Sequence, residues 1–369
     1  MQARTVPSEK KRARRRPEEV PPRSSSALTL DDVARRAGVS AMTVSNVING
    51  KSGVRPATRQ RVMDAIAETG YRVNAMARGL AGGRNRMISV FTPQLNRPYA
   101  SEVVQGAAQA AERLNYDLVV MMLAGSSTSD FSMMTRLSVG ALLIQPSHEV
   151  EWARTDLPAH VVSVDGPSDR PFTVDNYGGA HLAMRHLLEL GHTEIGFISG
   201  LEAEPEVPGR GSDRFERNDA HERLRGYREC LEAAGLAVRN GDVQHGDFTK
   251  ASGERAARRL LGLARPPTAI FASGDAMALG AIHVAQDLGL RVPGDLSVVG
   301  FDDLPIAAAA RPGLTTVRQP LHLMGEVAVQ TLAALAEGED VPLPPPFPTE
   351  LVLRESTAAP RVGTQPDGA

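Results

Sequence analysis

Between Leu28 and Asn49 the chain reads LTLDDVARRAGVSAMTVSNVIN, and its chemistry-bearing side chains are short hydroxyls and amides: Thr29, Ser40, Thr43, Ser45, Asn46 and Asn49. A hydroxyl at the positive end of a helix suits a phosphate oxygen, and a carboxamide can pair with an adenine edge. The elements that must carry these groups follow from spacing. Ala34 leaves room for a crossing helix, Gly38 suits a tight turn, and Val44 and Val47 would face Val33 and Ala34 across the crossing. That is helix-turn-helix geometry, with the second helix placed to enter a DNA major groove. Thr29 with Asp32, and Ser40 with Thr43, supply a start signal for each helix. A third helix is predicted over Ala57–Thr69, with Val62 and Ile66 on one face. The next segment, YRVNAMARGLAGG, has a weak helical pattern and ends in Gly82-Gly83, so it reads as a hinge, helical only when supported.

Charge separates this front from the rest of the chain. The protein has 369 residues and a net charge of -2, yet residues 1–86 hold 18 Lys+Arg against 7 Asp+Glu and the remainder holds 23 against 36. A basic head attracted to phosphate and an acidic body repelled by it are what a DNA-binding protein requires. Residues 1–27, rich in Arg, Pro, Ser and Glu, and the last eight residues, VGTQPDGA, have little to bury and are expected to be disordered. The run KKRARRR at 10–16 reads first as a solvated tail, with a DNA-grazing arm or a nuclear-localisation signal as alternatives. A lone cysteine, Cys230, excludes an internal disulfide framework and a cysteine-built metal site. With no apolar run of 18 residues and no secretion signal, a cytoplasmic protein with no membrane partner is expected.

From Met87 onward, short apolar runs (MISVFT, DLVVMML, GALLIQ, HVVSVD, EIGFIS, TAIFAS, LSVVGFD) alternate with helical patterns at Glu102–Leu114, Gly178–Leu190, Asp219–Ala234, Ala251–Leu263 and Ala276–Leu288. This alternation predicts an α/β body with parallel sheets covered on both faces, and roughly 270 residues suffice for two lobes. Ligands gather at the carboxyl ends of such strands. An enzyme is disfavoured: there is no Gly-x-Ser-x-Gly elbow, phosphate loop or His-Glu-x-x-His, and no cofactor is implied. His181, His186 and His192 have the wrong spacing for a metal pair, and the adjacent Asp302 and Asp303 cannot flank a scissile bond. An exported solute-binding protein would share such a body but lack the head and need a signal peptide.

Five separated segments carry a resemblance to the LacI/GalR family of bacterial transcription regulators: LTLDDVARRAGVSAMTVSNVING, NAMARGLAG, HLLELGHTEIGFISG, RLRGY and RVPGDLSVVGFDDLPIAAAARPGLTTVRQP. The resemblance runs from about Leu28 to Arg361. It implies a small all-α helix-turn-helix head (28–72), a hinge (73–85) and a periplasmic-binding-protein-like type I body. One lobe of that body would hold about 86–175 and 318–345, the other about 176–317 and 346–361, with crossings near 174–176, 316–320 and 346. By the same resemblance Ala41, Met42 and Asn46 match base-reading positions, Ser40, Thr43, Ser45 and Asn49 match phosphate contacts, and Thr29 belongs to the DNA-binding set. In the hinge, Asn74 and Ala77 match DNA-binding positions and Leu80 matches a leucine that wedges into the minor groove. Ala41 and Met42 can read only by apolar contact, for instance with a thymine methyl.

In the body the resemblance places a small-molecule effector between the lobes, touched by Tyr99, Asp165, Arg223, Phe248, Asp275 and Asp302. The types suit a sugar, whose hydroxyls pair with Asp and Arg and whose apolar face covers a ring. The implied protein is a homodimer or a dimer of dimers on a near-palindromic operator, and the dimer is favoured because no leucine-heptad tail follows Arg361. Its effector would be a mono- or oligosaccharide that releases the operator; the alternative is a regulator driven by a purine or another corepressor, or one without an effector. Gly274 stands where relatives carry a polar contact. The connection AGSSTSDFSMMTRLSV is short for the family, and the long loop Glu202–Ala220 precedes Arg223.

Overall fold

The computed structural model describes residues 28–48, 50–71, 86–95, 97–122, 137–145, 158–166, 168–200 and 219–361. These fall into two compact units, a head and a body. Among its described residues the head has three helices: α1 (Leu30–Ala37), α2 (Ala41–Ile48) and α3 (Pro56–Thr69). Gly38 ends α1 at φ 64°, the left-handed conformation that glycine adopts without a Cβ penalty, and so turns the chain into α2. Val33, Ala34, Ala37, Val44, Val47, Val62, Ala65 and Tyr71 form the core. Val33, Val44 and Val62 are fully buried, each contributing about 1.5–3 kcal/mol relative to exposure. Arg59 donates to the carbonyls of Val47 and Lys51, at 3.3 and 3.1 Å, which ties α3 to the end of α2.

The described residues of the body form two sheets. The first has β1 (Met87–Thr92), β2 (Asp117–Met122), β3 (Ser138–Ile144), β4 (Val161–Val164) and β5 (Pro171–Phe172), in the order β2-β1-β3-β4-β5 and all parallel. The second has β6 (Ile195–Ser199), β7 (Val243–His245), β8 (Ala269–Ala272), β9 (Ser297–Asp302), β10 (Thr315–Arg318) and β11 (Glu350–Val352), in the order β11-β10-β9-β8-β6-β7. Only β11 runs antiparallel to its neighbour. The helices among the described residues of the body are α4 (Pro98–Leu114), α5 (Asn176–Glu189), α6 (Asp219–Ala233), α7 (Lys250–Leu261), α8 (Asp275–Asp287), α9 (Pro305–Ala309) and α10 (Leu321–Ala336).

Side-chain alternation explains how the second sheet is covered. Phe271 and Phe301 point to the face where Met184, Leu187 and Tyr227 of α5 and α6 pack, whereas Ile270, Ala272 and Val298 meet Leu260, Met277 and Ile282 of α7 and α8. The first sheet's core includes Val103 and Ala107 of α4 with Met324, Ala328 and Leu332 of α10. The chain therefore leaves the first sheet after β5, returns to it as α10 after β10, and joins the second sheet again through β11. Val174 and Phe347 bridge in parallel where two of these passages run side by side.

Strands β5, β7, β10 and β11 and helices α9 and α10 add to the pattern read from sequence. The strands are two to four residues long, too short to display a period, and each exists because a neighbouring strand supplies hydrogen bonds. In α10, LHLMGEVAVQTLAALA is apolar nearly all round, which hides the helical stripe. The helices approach closely where they lack side chains: a Cβ at Gly106 would overlap the His322 carbonyl, and one at Gly253 would overlap the Met277 carbonyl. Among the described residues no helix is long and apolar enough to cross a membrane.

Candidate functional site

The start of α2 is built by its own cap. Ser40 Oγ accepts from the Thr43 N–H at 3.2 Å and lies 2.9 Å from Thr43 Oγ1, leaving both hydroxyls at the helix end. With Val44 and Val47 buried, the opposite side carries Met42, 69% exposed, an apolar group that the head's core does not use. Ala41, Ser45 and Asn46 are partly exposed beside it. Thr29 caps α1 through Asp32, as their spacing predicts: its hydroxyl and N–H both donate to Asp32, at 2.7 and 2.9 Å. These bonds, the backbone one first, hold the Asp32 carboxyl below its ordinary range, and the hydroxyl proton is thereby committed to α1. Asn49, Asn74, Ala77 and Leu80 lie outside the described residues.

The second site lies at the strand ends of the body. In the first sheet, Asp165 follows β4 at φ 50° and accepts a hydrogen bond from the Tyr99 hydroxyl of α4. In the second, Asp302 ends β9 at φ 118° and Phe248 follows β7 at φ 60°. Such conformations are costly for residues other than glycine and concentrate at functional sites. Arg223 of α6 is 2% exposed and points inward. Its Nε donates to Asn176 Oδ1 at 2.8 Å, its Nη1 donates to the Ser273 carbonyl at 2.5 Å, and its guanidinium lies 3.7 Å from the Phe301 ring centroid. Asp302 Oδ1 is 3.9 Å from Arg223 Nη1 and accepts from Gln319 Nε2 at 2.6 Å. The helix-surface partner for Glu222 and Glu229 is Arg225.

Asp275 departs from the expectation of a ligand contact. It is fully buried, and its oxygens accept from the Leu304 N–H at 2.7 Å and the Thr316 hydroxyl at 2.5 Å, so it pins α8 to β10 and the loop after β9. Phe248 is half-buried against the apolar layer of α7 and α8. Its ring passes over two bare glycines: a Cβ at Gly200 would overlap it, and one at Gly274 would lie 3.2 Å from Cδ1.

Electrostatics single out the cleft. Burial pushes the Asp302 carboxyl up to about 7, against the opposing pull of Arg223 and Gln319. Burial, then Asp219, raises Asp165 well above the usual carboxylate range, with Arg223 opposing. Asp219, which accepts from Asn176 at 2.8 Å, is raised by burial too. One guanidinium thus faces carboxylates from both lobes. Asn176, Asp219, Ser273 and Gln319 were missed by sequence reasoning. They come from four separate segments with no motif in common, and only the position of Asn176 and Gln319 at the expected crossings pointed towards them. Among the described residues, Asp165 Oδ1, Ser273 Oγ and Gln319 Oε1 at the cleft, and His181 Nε2 away from it, are buried without a hydrogen-bond partner.

The histidines are structural. His192, 1% exposed, bridges Thr268, Ser297 and the Ala358 carbonyl, His186 meets Thr357, and His181 packs at a tilt against Tyr177. Among the described residues no group of three or more His, Cys, Asp or Glu could hold a metal ion.

A helix-turn-helix head joined to a two-lobed α/β body with a polar cleft defines a ligand-responsive DNA-binding regulator. The comparisons agree: residues 29–74 match the model for bacterial regulatory proteins of the lacI family, and residues 184–357 match the periplasmic binding protein-like domain. The chain is 34% identical over 324 residues to catabolite control protein A of Priestia megaterium, covering 85% of this chain and 94% of that protein. It is 33% identical to the HTH-type transcriptional repressor PurR of Proteus mirabilis, covering 82% and 89%. The Lac repressor dimer bound to operator and the anti-inducer ONPF superposes with a TM-score of 0.77 at 30% identity, covering 90% of this chain and all of that one. The protein belongs to the LacI family of transcriptional regulators. It binds DNA and is not an enzyme.

Proposed function

We propose that the protein is a cytoplasmic repressor of carbohydrate uptake or catabolism genes that grips a near-palindromic operator as a homodimer and releases it when a sugar fills the cleft. The observation that carries the effector class is the set around Arg223: Asp302 and Asp165 offer acceptors from opposite lobes, and the Phe248 ring offers an apolar face, a combination suited to a pyranose. Release is a differential-affinity effect, because a ligand shifts operator binding only by preferring one lobe arrangement. Ser40, Thr43, Ser45 and Asn49 would hold phosphates, Ala41, Met42 and Asn46 would read bases, and Asn74, Ala77 and Leu80 would act in the hinge.

The experiment selects genomic fragments on the immobilised full chain, then challenges the complex with separate sugar and purine panels. The expected result is a palindromic site released by one or a few sugars. Release or tightening by purines alone, which similarity to PurR makes a meaningful comparison, would replace the sugar reading; no palindrome in the selected fragments would end the operator reading.

A further inference from the structure

The chain passes between the lobes after β5, after β10 and before β11, and polar contacts link all three passages to the turn that carries Asp302. Asp302 and Asp303 follow one another at φ 118° and 58°. Both conformations are costly for a residue other than glycine and persist only where the surroundings hold them. Asp303, its carboxyl largely buried, accepts from Arg354 Nη2 at 2.6 Å and from Arg318 Nε at 2.7 Å. Arg318 is the last residue of β10, in register with Asp302 of β9 on one side and Glu350 of β11 on the other. The next residue, Gln319, enters the second passage with its Nε2 on Asp302 Oδ1 and its N–H donating to the Asp302 carbonyl at 3.3 Å. Arg318 Nη1 donates in turn to Glu350, where the third passage becomes β11. Upstream in that passage the Phe347 N–H donates to the Thr173 carbonyl and its carbonyl accepts from the Asp175 N–H, both at 2.8 Å, which fastens it to the first passage. Asn176 follows and holds Arg223, which faces Asp302. The contacts thus close into a ring that begins and ends at Asp302.

Exposure sets one link of this ring apart. The side chains of Arg318 and Glu350 are 47% and 63% exposed, and a pair so open to solvent adds little to stability. Arg354 stays on Asp303 when Arg318 is removed, so the largely buried carboxylate keeps a cationic partner. Resting on the reading of the cleft as the effector site, we infer that Asp303, Arg318 and Glu350 are positioning residues: without touching the effector they fasten the Asp302 turn to the second and third passages, and so set how strongly occupancy of the cleft changes the grip on the operator. A ligand that draws on Asp302 moves both passages together while the tie holds. Without the tie, the displacement still reaches the second passage through Gln319 but no longer reaches β11 through Arg318.

The test makes two measurements on the full chain with the member of the sugar and purine panels that changes the parent's grip on its operator: the calorimetric Kd for that compound, and the factor by which a saturating amount of it changes operator affinity. In Arg318→Met and in Glu350→Gln the Kd is expected to stay within about threefold of the parent's while the factor falls about fivefold, inside the range over which residues remote from both ligands modulate coupling. The double variant should fall no further than either single one, because both break the same link. Arg318→Lys, which keeps the charge, should retain most of the response. A pair that only stabilised the fold would shift the urea midpoint and leave the factor unchanged. Glu350→Gln, at a side chain open to solvent, carries the test if Arg318→Met fails to fold. Additive losses in the double variant, or a loss of response that merely follows weaker binding, would overturn the inference. A responsive parent with equally responsive variants removes the inference alone, whereas a parent that binds no member of either panel removes the reading of the cleft and the inference with it.

Discussion

Replacing Asp302 by Asn should make the protein more stable and less responsive, two effects of opposite sign from one atom. The carboxyl, ordinarily near 3.8, is pushed up to about 7 by burial. Holding it ionised at pH 8 therefore costs the folded state on the order of 4 kcal/mol. The amide keeps the shape and still accepts from Gln319, but Arg223 loses an ion partner and the amide is itself desolvated, so about 1–2 kcal/mol of gain should survive. For a body of this size that is a rise in Tm of roughly 2–6 °C. Because the folded value lies above the unfolded one, the stability associated with this carboxyl is present below about pH 4 and lost as pH rises through about 7. The advantage of Asp302→Asn should therefore be near zero at pH 4, partial at pH 5.5 and full at pH 8. Effector binding should weaken by roughly 10–150-fold, the cost of a lost charge-assisted hydrogen bond of about 1.5–3 kcal/mol. Differential scanning fluorimetry across that pH range reads the first effect, and operator release by titrated effector reads the second. A variant less stable than its parent at pH 8, or one whose advantage does not change with pH, would refute the account of the buried carboxylate.

Three further outcomes are expected from the same geometry. If the effector donates hydrogen bonds to ionised Asp302, its affinity should rise by up to about tenfold per pH unit towards 7 and level off above, as followed by calorimetry at constant ionic strength; a pH-independent affinity would contradict it. Ser40→Ala removes the cap of α2 and should cost the head about 1 kcal/mol, lowering operator affinity while the calorimetric transition of the body stays in place. Gly253→Ala would drive a methyl into the backbone of α8 at Met277 and should destabilise the body by about 1–3 kcal/mol or more, read as a lower urea midpoint with head-only DNA contacts unaffected.

The head was legible because its signals are local. Gly38 turns the chain, Ser40 caps the next helix, and Val33, Ala34, Val44 and Val47 pack within a few turns of one another, so spacing alone reports the geometry. The same holds for the long central strands and the helices beside them, where burial on both faces leaves unbroken apolar runs.

Sequence by itself determined the class of the molecule, through the charge division between front and body, the helix-turn-helix spacing and the alternation of strand and helix. Tertiary structure alone decided what the cleft is. Asp275 and Asp302 are both acidic residues at the head of a helix or the end of a strand, but one is sealed by Leu304 and Thr316 while the other faces Arg223 and Gln319. Asn176, Arg223, Ser273, Asp302 and Gln319 meet only because α5, α6 and the ends of β8, β9 and β10 converge at one end of the second sheet. Polar groups brought together from distant segments follow no spacing rule, and their protonation depends on burial, which is a property of the packed molecule and not of the order of its residues.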